Sequence, residues 1–173
     1  MDPYRPDEWH DFFVAGAGAA AALTGLLFVS LSLHIRYIAA NPTHRGLARG
    51  SLIGLVQALV ISLAALVQQP ASWAGLEFAF IGAFYLVVVS GYQLLTLGRA
   101  HWKVPRRSWF GMAFGSLLAV IGVVGGINVV TRTGPGLYAV APIIVIIIVW
   151  NLRNAWFLLM GVADEYLVDR HAA

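Results

Sequence analysis

Five long apolar segments alternate with short polar ones along the chain, and the apolar segments contain almost no charged residues. About 20 apolar residues are enough to cross the hydrocarbon core of a bilayer as a helix. Backbone amides inside lipid need partners within their own segment, which favours helices over open strands. The pattern predicts an all-α, polytopic bundle forming a single transmembrane domain, residues 1–173, with five helices at about 12–35, 51–67, 76–97, 109–130 and 137–160.

The polar segments between these helices predict short connections. Residues 36–50 carry three arginines and the turn-forming pair Asn41-Pro42, so we expect a loop there. Gln68-Gln69-Pro70 ends the second helix, and a short uncharged linker follows it. The first 11 residues are polar and acidic, whereas a secretory signal begins with basic residues, so we expect the first apolar segment to be an uncleaved membrane helix.

The distribution of basic residues predicts the orientation in the membrane. Loops rich in Arg and Lys remain on the cytoplasmic side. The N-terminal segment, the second loop and the fourth loop hold only Arg5 and Arg132. We therefore expect the N-terminus outside and the C-terminus in the cytoplasm, because the first and third loops carry most of the positive charge: Arg36, Arg45, Arg49, Arg99, Lys103, Arg106 and Arg107.

Composition supports a membrane protein. The chain is 60% hydrophobic and 11% charged, whereas soluble domains carry about 25% charged residues. The net charge of +3 is explained by the basic cytoplasmic loops, so no nucleic-acid partner is expected. The absence of cysteine excludes disulfides, thiolate catalysis and cysteine metal sites.

Small residues on two predicted helices indicate close helix packing. On the first helix, Gly18, Ala22 and Gly25 share a face with Ala21 and Ser32, and this face either packs within the bundle or lines a substrate groove. The fourth helix has two Gly-x-x-x-Gly motifs within roughly 60° of one another. These motifs predict a close contact with a helix of the same chain or of another, through Gly111, Gly115, Gly122 and Gly126.

Few polar side chains lie inside the apolar segments, and each is a candidate site. Arg153 is flanked by Asn151 and Asn154 near the end of the last helix, between two tryptophans. It either extends to the lipid headgroups or faces the protein interior or an oligomer axis, where it would bind an anion or a carboxylate. The hypothesis to be tested is that Arg153 faces protein or water and not lipid. Gln57, in the middle of the second helix, either hydrogen-bonds another helix or lines a pore.

The third loop is the most basic segment. Its cations would contact anionic lipid or an acidic surface of a partner, at about 1 kcal/mol per basic residue, or they act only as a topology signal. These residues are Arg99, Lys103, Arg106 and Arg107.

The sequence favours a non-catalytic function. It has no phosphate-binding glycine loop, no paired intramembrane carboxylates and no nucleophile-elbow serine, so we expect neither an enzyme nor a cofactor. Ion-coupled transport needs ionisable residues near the midplane, and none is there. Two functions remain: a self-associating regulator or scaffold of a partner membrane protein, which we favour, and a homo-oligomeric channel with polar rings from the fifth helix.

Two stretches resemble a known group of proteins. Residues 9–32, with Phe13-Val14-Ala15 and then the run AALTGLLFVSLS, resemble the start of small bacterial membrane proteins that are often labelled modulators of the FtsH protease. The motif Asn154-Ala155-Trp156-x-Leu158-Leu159 is similar to theirs as well. The resemblance implies a bacterial inner-membrane location and assigns no functional residue.

Overall fold

The computed structural model describes the backbone of residues 1–99 and 106–172, and their side chains except those of 43, 89, 90, 92–99, 106–110, 112 and 161–172. Five helices in this part of the chain are long and apolar enough to cross a membrane, which confirms the prediction of an all-α, five-helix protein. The helices are α1 (His10–Leu33), α2 (Ile35–Ala40), α3 (Pro42–Leu66), α4 (Ala71–Arg99), α5 (Arg106–Thr131) and α6 (Leu137–Ala172).

The predicted loop at residues 36–50 is wrong, because this segment is helical. Asn41 is extended, as expected before a proline, and Pro42 occupies the first position of α3, where its missing N–H costs no hydrogen bond. His44, Ala48 and Ser51 are buried at helical spacing, whereas Arg45 and Arg49 are exposed. The segment is an amphipathic extension of the membrane helix.

Two other helix ends differ from the prediction. α4 begins at Ala71, five residues before the expected start, because the carbonyl of Pro70 already accepts the backbone N–H groups of Trp73 and Ala74. α6 continues past the expected end at residue 160 to Ala172. Glu77 consequently lies inside α4, where its carboxylate accepts a hydrogen bond from Gln69 Nε2 at 2.7 Å.

The α5–α6 connection is a tight turn stabilised by left-handed backbone conformations. Thr133 N donates to Asn128 O at 3.1 Å, the hydrogen bond that closes a Schellman motif. The residue that takes the left-handed position of this motif is Arg132, with φ 53°, where glycine is usual. Gly134 and Gly136 follow with positive φ and reverse the chain into α6.

The contacts of the chain group it into two compact units. The first unit comprises Met1–Asp11 and Leu63–Ile143. Within it, α4 packs against α5. Its buried side chains include Phe78, Leu118 and Leu137.

The second unit comprises Phe12–Ser62 and Ile144–Ala173. Phe13, Leu55 and Ile144 are among its fully buried side chains. Near the start of α3, Leu158 packs with Ile38 and Ala48, so the unpredicted helical segment contributes to this core.

Candidate functional site

A small group of polar side chains lies in the apolar interior of the second unit. Asn151 of α6 is 5% exposed, and its amide packs directly on Gly54 of α3. Ser51 and Gln57 lie three residues before and after Gly54, so they flank this contact on one ridge of α3. We call Ser51, Gln57 and Asn151 the polar cluster.

Hydrogen bonding within the polar cluster is incomplete. Asn151 Nδ2 donates to Ile147 O, one turn earlier on its own helix, at 2.8 Å. Ser51 Oγ and Gln57 Oε1 are buried and have no hydrogen-bond partner among the described residues. A buried polar atom without a hydrogen-bond partner lowers the stability of the fold. The hydrocarbon core of a bilayer contains no water that could replace the missing partner. Gln57 Oε1 therefore makes no hydrogen bond to another helix among the described residues, which is the role that one alternative gave to this side chain.

A second buried serine shows the contrast. Ser62 lies on the same face of α3 as Ser51, and its Oγ donates a hydrogen bond to Ala58 O at 2.8 Å. Its hydroxyl also lies against Gly16 of α1, where a Cβ would come within 3.0 Å of Ser62 Oγ. The hydroxyl of Ser62 is therefore satisfied locally, as is typical of serine in membrane helices.

Arg153 does not belong to the polar cluster. Its side chain is exposed on the surface of the chain, and its guanidinium carbon lies 3.9 Å from the centroid of the Trp150 ring. Stacking on an indole stabilises a cation by about 0.5–1 kcal/mol at an exposed position. The alternative in which Arg153 faces the interior of its own bundle is wrong, because its side chain is exposed. Arg153 lies two positions after buried Asn151, and 200° of helical rotation turns it outward. Asn154 is half-buried.

The small-residue face of α1 packs against nothing in the part of the chain that the structure describes. Gly18, Ala22 and Gly25 are exposed, and a Cβ on either glycine would meet no heavy atom within 4 Å. The buried face of α1, which includes Phe13 and Ala17, lies roughly 150° away around the helix. The expectation of packing within the bundle is therefore wrong for this face, since a different face of α1, with Phe13, Ala17, Ala20 and Leu27, is the buried one.

The glycines of α5 do approach other helices of the same chain. A Cβ on Gly126 would lie 2.6 Å from Gly75 O and 3.0 Å from the Cα of Ala79, so the α4 and α5 backbones are in contact there. Gly115 faces Tyr85, and a Cβ on Gly122 would be 3.7 Å from Ile143. Gly111 is half-buried.

The candidate lipid-binding residues of the basic loop lie outside the described side chains. Lys103 is outside the described backbone as well. For Arg99, Arg106 and Arg107, only the helical backbone is described.

The structure contains a cavity that the sequence did not indicate. It has a volume of about 720 Å³, and it is lined by six residues of the stretch 2–10, by six residues of the stretch 65–71 around the α3–α4 connection, and by Arg132. We call it the N-terminal cavity. All of these residues belong to the first unit.

Hydrogen bonds hold the N-terminal segment against the α5–α6 turn. Leu137 N donates to Pro3 O at 2.8 Å, and Tyr4 Oη donates to Gly134 O at 2.7 Å. The ring of Trp9 meets that of Tyr138 edge to face, with the centroids 4.9 Å apart. These partners are about 130 residues apart in sequence, so no local pattern could have predicted them.

No family model, no curated protein and no solved structure matches the chain. The structure thus supports a multi-pass membrane protein, with two features that bear on function: outward-facing surfaces on α1 and α6, and the N-terminal cavity.

One packing signal in the sequence was missed. The glycines that meet α5 are Gly75 and Gly82 of α4, separated by seven residues and joined by Ala79 between them. This small-residue spacing is the counterpart of the motifs on α5. It would have identified α4 as their partner.

Proposed function

We propose that this chain is a non-catalytic protein of the bacterial cytoplasmic membrane that self-associates and serves as a regulator or scaffold of a partner membrane protein. The observation that carries the proposal is the exposed small-residue face of α1, formed by Gly18, Ala22 and Gly25. The resemblance to the bacterial proteins labelled as protease modulators supports this location.

The glycines on this face lower the stability of the helix, and no contact among the described residues offsets that loss. Glycine in a helix interior is less stable than alanine by about 0.5–1 kcal/mol. At Gly126 the absence of a side chain permits backbone contact with α4, whereas Gly18 and Gly25 have no neighbour. A second helix docked on the α1 face would gain the same close approach, which is how membrane helices associate.

A second copy of the chain is the partner that best fits this face. The face carries no charged side chain, so it selects another apolar surface. A symmetric dimer brings the same patch of both subunits together, and a narrow small-residue stripe is complementary to itself.

Arg153 supplies a surface for a different partner. It lies about 10 Å along α6 from Met160, where the apolar span ends, and it is exposed there. A cation at this depth on an outer surface is costly unless it reaches headgroups or an acidic group of another protein. We assign the binding of a partner membrane protein to this part of α6.

The outward position of Arg153 also supports the second candidate, a homo-oligomeric channel. Copies arranged with α6 toward a common axis would place Arg153 and Asn154 along it. The other predicted pore residues, Asn151 and Gln57, are buried within one chain and are not available to such an axis. The scaffold therefore has more support.

The first test is the mass of the full-length protein in nanodiscs by native mass spectrometry. The scaffold predicts a dimer that Gly25→Leu dissociates, because the added side chain prevents close approach. Ala19→Leu is the matched control, since Ala19 is also exposed on α1 but lies off this face. A monomeric wild-type protein would refute self-association.

A closed ring of four or more copies would favour the channel. Single-channel recording would then compare wild type with Arg153→Gln, and a change in conductance would support a pore lined by α6. A dimer whose contact with a photo-crosslinked membrane partner weakens in Arg153→Gln would instead support the scaffold. An unchanged dimer, conductance and crosslinking pattern would remove Arg153 from both proposals.

A further inference from the structure

The N-terminal cavity lies at the end of the bundle where several membrane spans begin or end. Besides the N-terminal segment, its walls include the end of α3 at Leu66, the start of α4 at Ala71, and Arg132, which directly follows the end of α5. A cavity at the ends of apolar spans is at the level of lipid headgroups. Its volume of about 720 Å³ is in the range of small-molecule sites.

Most charged groups of the cavity already have partners. Arg5 Nη2 lies 2.6 Å from Asp7 Oδ2 and Nη1 lies 3.6 Å from Glu8 Oε1. The hydrogen bond with Asp7 raises the pKa of Arg5. The carboxylate of Asp2 accepts the backbone N–H of Tyr4 at 2.8 Å.

Three polar side chains of the cavity have no described partner: Arg132, His10 and Gln68. All three have N–H groups to donate, and Arg132 brings a full positive charge that forms no ion pair with a carboxylate in the described part of the chain, although Asp2 and Asp7 line the same cavity. A site with an unpaired guanidinium and additional donors favours an oxyanion with several acceptor oxygens.

We propose that the N-terminal cavity binds a phosphate group, with Arg132 as its principal ligand. At headgroup level, phosphate is available as the phosphodiester of a phospholipid and as free phosphate. The apolar wall formed by Ala65, Leu66 and Val67 fits the glycerol and first acyl carbons of a phospholipid, which a free anion does not need. The left-handed backbone of Arg132 keeps the base of its side chain at a fixed point of the α5–α6 turn. This proposal does not depend on self-association.

The test is native mass spectrometry of the delipidated full-length protein, titrated with one lipid at a time. The three lipids share the same acyl chains: phosphatidylethanolamine, phosphatidylglycerol and diacylglycerol, which has no phosphate. We expect one tight site for each phospholipid and no comparable site for diacylglycerol. Arg132→Gln should weaken that site about 10-fold to 100-fold, the usual effect of a hydrogen bond to a charged group.

Arg36→Gln is the matched control, because Arg36 is an exposed arginine on α2, outside the cavity. It should leave the tight site unchanged. If Arg132→Gln does not fold, Gln68→Leu should weaken binding in the same direction. Competition with millimolar inorganic phosphate distinguishes the two possible ligands. If phosphate displaces the lipid, the site binds free phosphate; if the lipid stays bound, the site binds the lipid headgroup. Equal binding of diacylglycerol, or equal binding by Arg132→Gln and wild type, would overturn the proposal.

Discussion

Gly54 of α3 lies against the side-chain amide of Asn151 on α6, with no room for a Cβ between them. A Cβ built on Gly54 would lie 2.8 Å from Asn151 Cγ and 2.9 Å from its Oδ1, well inside van der Waals contact. Asn151 is 5% exposed and is held by its hydrogen bond to Ile147 O. The absence of a side chain at residue 54 is therefore what allows a polar residue of α6 to pack inside the second unit.

Gly54→Ala should destabilise the protein by about 1–3 kcal/mol, because the added methyl group overpacks this contact. Asn151→Ala should remove the obstacle, so the double variant should be more stable than the sum of the single effects predicts. The measurement is the free energy of unfolding in mixed micelles, arranged as a double-mutant cycle. A coupling energy of about 0.5–3 kcal/mol is expected for residues in contact. Strictly additive effects would contradict the packing of Gly54 on Asn151.

Gly126→Ala should be more damaging than the same change elsewhere on the apolar helices. Its Cβ would meet Gly75 O and the backbone nitrogen of Ala79, and backbone atoms cannot rotate away. We expect a loss of about 1–3 kcal/mol or more in the free energy of unfolding. Gly25→Ala is the matched control, since nothing lies within 4 Å of its Cβ.

In a detergent that keeps the protein monomeric, Gly25→Ala should stabilise it by about 0.5–1 kcal/mol through helix propensity. Gly126 and Gly25 thus distinguish a glycine that permits helix contact within the chain from one that is exposed, although both lie in small-residue patterns of the sequence. A similar loss of stability for both variants under monomeric conditions would show that α1 packs through Gly25 within the chain.

The five membrane spans could be predicted because the bilayer itself imposes length and composition on them. The sequence could not show which face of each span points inward. Lipid and the protein interior are both apolar, so the two faces of a membrane helix differ little in hydrophobicity. Asn151 and Arg153 show this limit: both are polar residues in one apolar run, yet one is buried and the other is exposed.

The other omissions have physical causes too. The sequence did not predict the helical segment before Gly50, because its arginines are typical of a loop. In the structure, Ala48 and Ile38 of this segment pack with Leu158. The N-terminal cavity depends on contacts such as Tyr4 with Gly134, which only the folded chain brings together.

Tyr4→Phe should loosen the N-terminal segment without unfolding the bundle. The change removes the hydrogen bond from Tyr4 Oη to Gly134 O and keeps the ring. Leu137 N–H is the reporter, because it donates to Pro3 O in the same contact. Its hydrogen exchange should become about two- to tenfold faster, as expected for the loss of one hydrogen bond.

Gly136→Ala should have a larger effect on the same reporter. Gly136 has φ 51°, and its Cβ would lie 3.0 Å from a ring carbon of Tyr4. Ser32→Ala is the control, because its hydroxyl bonds Phe28 O within α1, away from this contact. Unchanged exchange at Leu137 in Tyr4→Phe and Gly136→Ala would mean that the segment is not held by the turn.

The two buried serines of α3 should respond differently to the same substitution. Ser62 Oγ donates to Ala58 O, whereas Ser51 Oγ has no partner among the described residues. Ser62→Ala should therefore cost about 0.6 kcal/mol, the average for a side-chain hydrogen bond in a membrane protein. Ser51→Ala should be neutral or stabilise the protein by up to about 1 kcal/mol, because it removes a buried hydroxyl that makes no hydrogen bond to a described residue.

Gln57→Met extends the comparison with a side chain of similar length and no oxygen. Since Gln57 Oε1 is buried without a described partner, we expect this change to stabilise the protein by about 1–3 kcal/mol. The measurement is again the free energy of unfolding in mixed micelles, with Ser62→Ala beside it. If Gln57→Met and Ser51→Ala both destabilise the protein more than Ser62→Ala does, the polar cluster must be hydrogen-bonded to bound water, and its polar residues would then support the fold.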